Sequence, residues 1–174
     1  MYYYISIGSN ISPKQNFSKI LTWLVKQYGC LVVYPIVETQ PEALDTEHVF
    51  LNTLCIMYSE QDKTQVKSLF NQQEEILGRD RSDPMRSHKD RTADIDILDV
   101  SEQFEAERFQ DFPEQYIQQV LQSKNNVVTI DLGDLFLGDR PSTIYFDRTT
   151  GQIRIINNKL DGLDDWVKAR FVTE

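Results

Sequence analysis

Residues 91–100, "RTADIDILDV", decide how this chain is read. The run has the length and the β-branched content of a strand. Its first half nonetheless places Asp94 and Asp96 where a core strand carries apolar residues. Side chains alternate across a strand, so Asp94, Asp96, Leu98 and Val100 are expected on one face and Ile95 and Ile97 on the other. One face then opens with two carboxylates about 7 Å apart and ends as core. An arginine, Arg91, stands just ahead of the pair.

The neighbouring segments give the strand its place. Residues 2–7 read as a first strand closed by Gly8-Ser9-Asn10. A helix follows, with Ser12 at the N-cap, Pro13 at the first helical position and Gln15 completing a capping box. Phe17, Ile20, Leu21, Leu24 and Tyr28 recur at helical spacing, and Gly29 ends the helix. A strand over 30–37 contains Pro35, which favours an edge position. Residues 38–48 read as a loop. In the strand over 49–58 the face of Phe50, Leu54 and Ile56 is interrupted by Asn52. A second helix over 63–77 carries Val66, Leu69, Phe70 and Ile76 and stops at Gly78. The predicted order is β-α-β-β-α-β, an α+β fold of the ferredoxin-like kind: an antiparallel sheet with two helices packed on it.

The second half is read more coarsely. The acidic segment 101–111 is the seam between a core over 1–100 and a divergent part over 101–174, within one domain over 1–174. A short helix after Pro113, one or two strands in 127–138, a hairpin near 142–156 turning at Gly151, and a terminal helix around "DDWVKARF" complete the reading.

Composition narrows the function. At 174 residues the chain can bury a full core, and 40% apolar and 11% aromatic content oppose disorder. A net charge of −9 opposes a general nucleic-acid or anionic-membrane surface. No RNA-binding aromatic motif is present, so an RNA-binding module is disfavoured. Cys30 and Cys55 lack metal-ligand spacing and fit a reduced, cytoplasmic setting. The N-terminus has neither a basic segment nor a long apolar run, so no signal peptide or membrane span is expected.

Residues 79–93 reverse the local charge. They hold Arg79, Arg81, Arg86, Lys89 and Arg91 against Asp80, Asp83 and Asp90, a net +2 that leaves −11 for the remainder. Arginine forks match phosphate oxygens, and carboxylates hold hard cations through oxygen. A basic loop running into an acidic strand end suits a nucleoside triphosphate with magnesium, and two carboxylates can bridge two ions. The alternative is that these charges pair with one another on a solvated loop, and spacing does not choose between the two.

Five segments together carry a resemblance. "ISIGSNISPKQN", "ETQP", "VFLN", "EEILGRDR" and "DRTADIDIL" occur in the order found in 6-hydroxymethyl-7,8-dihydropterin pyrophosphokinases, enzymes of folate synthesis. Residues 91–98 are similar to that family's R-x-x-D-[LIV]-D-[LIV]-[LIV] signature. The resemblance spans about residues 3–100. It implies transfer of pyrophosphate from ATP to the hydroxymethyl group of the dihydropterin, with release of AMP. It implies that Asp94 and Asp96 bind two Mg2+ ions and that Arg79, Arg81 and Arg91 face the phosphates. Glu74 is implied near the nucleoside and Arg86 in a mobile catalytic loop. On the pterin side it implies Asn10, Thr39, Phe50 and Asn52. A monomer acting on ATP and a dihydropterin, apart from nucleic acid and membrane, is expected. His48 is expected to be only a loop or strand-start residue.

Departures from the family pattern are equally visible. Pro113 is followed by Glu114 where the family carries histidine, and the later R-x-F-V-L is absent. Weaker ATP binding and no clear stacking aromatic are expected there. The alternative reading is a non-catalytic or altered-substrate relative that binds a nucleotide or pterin-like ligand. Removing one aspartate is expected to relieve like-charge repulsion and stabilise the free protein.

Overall fold

The computed structural model describes residues 1–40, 48–85 and 90–172. The elements run β1 (Tyr2–Ser9), α1 (Pro13–Tyr28), β2 (Cys30–Val33), β3 (Val37–Thr39), β4 (Phe50–Tyr58), α2 (Lys63–Ile76) and β5 (Asp94–Ser101). A 3-10 turn (Ala106–Asp111), α3 (Gln115–Leu121), β6 (Ile130–Asp131), β7 (Phe136–Leu137), β8 (Ser142–Asp147), β9 (Gln152–Asn157) and α4 (Gly162–Phe171) follow.

The main sheet has the order β5-β1-β4-β2-β8-β9, and its strand pairs are antiparallel. Its first four strands give the expected ferredoxin-like arrangement. α1 and α2 cover one face: Phe17, Ile20, Leu21, Leu24, Val66 and Phe70 pack with Ile5, Ile7 and Ile95. The opposite face carries a second core, where Tyr2, Tyr4, Leu54 and Ile56 meet Phe109, Ile117, Val120, Leu163 and Val167. The C-terminal elements therefore form a partial third layer.

Four local expectations are corrected. The strand over 30–37 is split, because Pro35 stands between β2 and β3, which both pair with β4. β2 is also no edge, since β8 pairs along it from Cys30↔Tyr145 to Val33↔Ser142. Glu38 and Thr39 belong to β3 rather than to a loop, while residues 41–47 of that loop lie outside the described residues. Ser12 adopts a left-handed conformation with φ 40° and makes no side-chain cap bond. The capping box forms instead at α2, between Asp62 and Gln65. In α2 the buried stripe is Val66, Phe70, Gln73 and Glu74, and Ile76 is 75% exposed.

The decisive correction lies in β5. Asp94 pairs with Gly8, Asp96 with Ser6 and Ile97 with Ile5, but Tyr4 pairs with Asp99, so Leu98 is an extra residue in a β-bulge. The bulge shifts the phase of alternation. Asp94, Asp96 and Leu98 face the second core as read, whereas Val100 joins Ile95 and Ile97 against α1 and α2. The strand can thus be polar on one face at its start and apolar on the opposite face at its end.

Candidate active site

Cross-strand partners in a sheet share a face. Gly8 pairs with both Asn52 and Asp94, and Ser6 pairs with both Leu54 and Asp96. The two aspartates, Ser6, Gly8 and Asn52 therefore lie on the face away from α1 and α2. Thr39 pairs with Phe50, two residues before Asn52 on that same face. The Asn52 side-chain amide donates to Thr39 Oγ1 at 2.5 Å. A Cβ at position 8 would sit 2.9 Å from Asn52 Oδ1, so a side chain there would displace the Asn52 amide from its bond to Thr39. Phe50 is 9% exposed and joins neither apolar core.

The arginines converge on β5 from the loop. Arg79 Nη1 donates to Asp94 Oδ1 at 2.7 Å and to the Ala93 carbonyl at 3.1 Å. Arg91 Nη1 donates to the other oxygen, Oδ2. Burial works against ionisation of Asp94, but Arg91 and Arg79 outweigh it and hold its carboxyl below the usual carboxylate range. The pairing of loop charges and their convergence on the strand end thus occur together. Asp94 is the acceptor common to both guanidiniums.

Glu74 anchors this arrangement. Its fully buried carboxylate accepts the Ile95 N–H at 2.7 Å and a bond from Arg81, and lies 3.5 Å from Arg79. Burial raises its carboxyl, and the Ile95 N–H, Arg81 and Arg79 pull it back. The Nε atoms of Arg79 and Arg81 are buried with no hydrogen-bond partner. A cavity of about 320 Å³ opens beside Arg79 and Arg91, lined also by Ile11, Asp83, Asp90 and Thr92.

Asp96 stands apart from the arginines. Its half-exposed carboxylate accepts from Lys67 Nζ at 3.2 Å, and the same ammonium donates to the Ile95 carbonyl at 2.8 Å. Asn10 faces the loop rather than the sheet: its amide donates to Asp90 at 2.8 Å and accepts the Arg91 N–H at 2.6 Å. His48 leads into β4, as expected of a strand-start residue, and its ring meets Asp90 at 2.6 Å. Arg86 and Lys89 lie outside the described residues.

Two residues near the aspartates escaped the sequence reading. Lys67 lies seven positions before Glu74, on the same helical stripe, and that spacing was the available signal. Tyr116 of α3 supplies an aromatic where none was expected. Its hydroxyl donates to Ser6 Oγ at 3.4 Å. Burial raises its phenol, with Asp96, Glu114 and Asp94 adding to the shift against the Ser6 bond.

The fit to magnesium rests on donor chemistry. Among the described residues no cluster of three or more His, Cys, Asp or Glu could hold a metal. Magnesium is commonly held by one or two carboxylates together with substrate phosphates. The oxygen pair of Asp94 and Asp96, open to solvent at Asp96, fits an ion delivered with phosphates.

An antiparallel α+β sheet with paired carboxylates on one open face and arginines gathered at its end has the features of a small phosphate-handling protein. Comparison places it further. The sequence model of the 7,8-dihydro-6-hydroxymethylpterin-pyrophosphokinase (HPPK) family matches residues 4–131, and the chain belongs to that family. It is 31% identical over 97 residues to the 2-amino-4-hydroxy-6-hydroxymethyldihydropteridine pyrophosphokinases of two Porphyromonas gingivalis strains. Those matches cover 55% of this chain and 66% of each relative, just under two thirds of the relatives' length. No helix among the described residues is long and apolar enough to cross a membrane.

Proposed function

We propose that the chain transfers the pyrophosphoryl group of ATP to the hydroxymethyl group of 6-hydroxymethyl-7,8-dihydropterin, a step of folate biosynthesis. The acceptor oxygen bonds to the β-phosphorus, the bond to the α-phosphate oxygen breaks, and AMP departs. The acceptor hydroxyl gives up its proton to water. One observation carries the reading: in a chain of this family, Arg79 and Arg91 meet on Asp94 on the same sheet face as Asp96, Asn52 and Phe50.

Asp94 and Asp96 would hold Mg2+ entering with ATP. Bound there, the ion neutralises phosphate charge. The remaining work is positioning and electrostatics. The partly exposed guanidiniums of Arg79 and Arg81 would meet phosphate oxygens, and Glu74 fixes both before substrate arrives. On the acceptor side the Asn52 amide, set by Thr39, presents donor and acceptor atoms to a flat heterocycle. Phe50 and Tyr116 offer rings on the same face. Arg86 belongs to this proposal as a phosphate ligand from the loop. The protein acts alone, as a cytoplasmic monomer.

The test is AMP release from ATP with magnesium and the hydroxymethyldihydropterin. Pterin-dependent AMP formation that disappears in Asp96→Ala is expected. Binding of ATP and pterin without AMP formation would favour a non-catalytic relative instead.

A further inference from the structure

A second cavity lies at the far end of the sheet. It measures about 490 Å³ and is walled by Tyr145, Phe146, Trp166 and Phe171, with Arg148 and Arg170 in its lining. Its β8 and α4 walls lie beyond residue 131, where the family match ends. Trp166 is fixed against the body of the fold, since a Cβ at Gly29 would come within 2.7 Å of its indole.

Charge makes this cavity unusual for the chain. Arg79, Arg81, Arg91, Arg108 and Arg154 each hold a carboxylate. Arg140, Arg148 and Arg170 have no carboxylate partner among the described residues, and the last two come together in this one lining. Arg170 instead stacks its guanidinium 4.4 Å from the Trp166 ring centre and donates to the Trp166 carbonyl. Lys26 Nζ lies 5.5 Å from the centre of Phe146 and likewise has no carboxylate partner there. The one carboxylate in the lining, Asp147, is already held by Arg154. Residues 141–174 contain five acidic and five basic residues, so the excess of −9 belongs wholly to the rest of the chain.

Guanidiniums without carboxylates beside aromatic rings call for a ligand with an anionic head and a flat body. A carboxylate brings one charge, whereas a phosphate monoester brings roughly two at neutral pH, closer to the two arginines and neighbouring lysine. We infer that the cavity between β8, α4 and the end of α1 binds a mononucleotide, its base against Trp166 and its phosphate at Arg148 and Arg170. A cavity of this volume suits a ligand of that size. The inference is independent of the reaction proposed for the β5 site.

The experiment is a metal-free titration of the full chain with AMP, adenosine and inorganic phosphate, followed by tryptophan fluorescence and calorimetry. Circular dichroism checks the fold of each variant. Saturable quenching by AMP is expected, retained in Trp23→Phe and lost in Trp166→Phe. Adenosine and phosphate alone should bind at least about tenfold more weakly, since each supplies only half of the contacts. Arg148→Gln combined with Arg170→Gln alters two exposed side chains and should weaken AMP binding by roughly a hundredfold. Quenching that persists in Trp166→Phe, affinity unchanged in the double variant, phosphate binding as tightly as AMP, or no saturable change would each overturn the assignment.

Discussion

The two ends of the main sheet treat charge in opposite ways. At β5 the cations meet carboxylates: Arg79 and Arg91 share Asp94, Arg81 holds Glu74 and Lys67 holds Asp96. Near β9 the aromatic cavity keeps two arginines without carboxylates. The first end is a closed network made from the protein's own groups, partly buried and costly to disturb. The second is an open set of cations on solvated side chains. Desolvation accounts for the difference in consequence: removing one partner of a buried pair strands a charge, whereas removing an exposed one frees a side chain to water.

The strongest way to break this contrast is Asp94→Ala. It strands two guanidiniums that are only 11% and 20% exposed. A loss of about 3 kcal/mol in urea unfolding is expected, together with loss of AMP formation. This reverses the simple expectation of relieved repulsion, because the neighbours that matter to Asp94 are arginines rather than Asp96. If the variant were as stable as the parent, the β5 network would be no more costly to break than an exposed pair.

The same aspartate supplies a pH test. Its folded pKa is depressed, so its contribution is present above the unfolded value of about 3.9 and is lost as pH falls through the lower folded value. The stability gap between the parent and Asp94→Asn should be constant from about pH 5 to 7 and should narrow below about pH 4. Unfolding midpoints across that range measure it.

Glu74→Gln is the next step down. The amide can still accept the Ile95 N–H but no longer balances Arg79 and Arg81, and a loss of about 2 kcal/mol is expected. Asp96→Ala separates stability from chemistry. Its pair with Lys67 is largely solvated, so unfolding should change by less than about 1 kcal/mol, while magnesium-dependent turnover is lost. Smallest of all is Arg154→Ala on β9, whose ion pair with Asp147 is exposed. Its urea midpoint should match the parent within error. A large shift there would erase the contrast between the two ends.

Much of the first hundred residues was legible in the sequence, for identifiable reasons. Phe17, Ile20, Leu21, Leu24 and Tyr28 hold to a period that only a buried helix face explains, and they are buried. The hairpin around Gly151 was equally plain, because its turn and alternating strands are local. What escaped the reading depends on partners distant in sequence. Nothing local marks Leu98 as an extra residue, since a bulge is defined by the strand opposite. Ile76 looks like core, and nothing local shows that Glu74 is buried, until β5 presents an N–H and the loop after α2 presents two guanidiniums that need an acceptor. Ser12 has the chemistry of a cap, but its left-handed backbone leaves that chemistry unused. Tyr116 could be placed near the aspartates only once α3 was laid across β4 and β3.

The two bonds from α2 to Ile95 bear on how this protein behaves in a concentrated solution. β5 is an outer strand, and exposed backbone donors and acceptors on such a strand are a template on which another polypeptide can add. Glu74 takes the Ile95 N–H and Lys67 takes the Ile95 carbonyl, so that residue is occupied by side chains standing in for a neighbouring strand. At the opposite margin Asp134 does the same for the Ile153 N–H. Fibre seeding and edge-to-edge aggregation are therefore opposed at both margins by acidic side chains, and by a lysine at one of them. Substitutions at Glu74 or Lys67 should lower the concentration at which the folded protein stays monodisperse, even where they leave the cores intact.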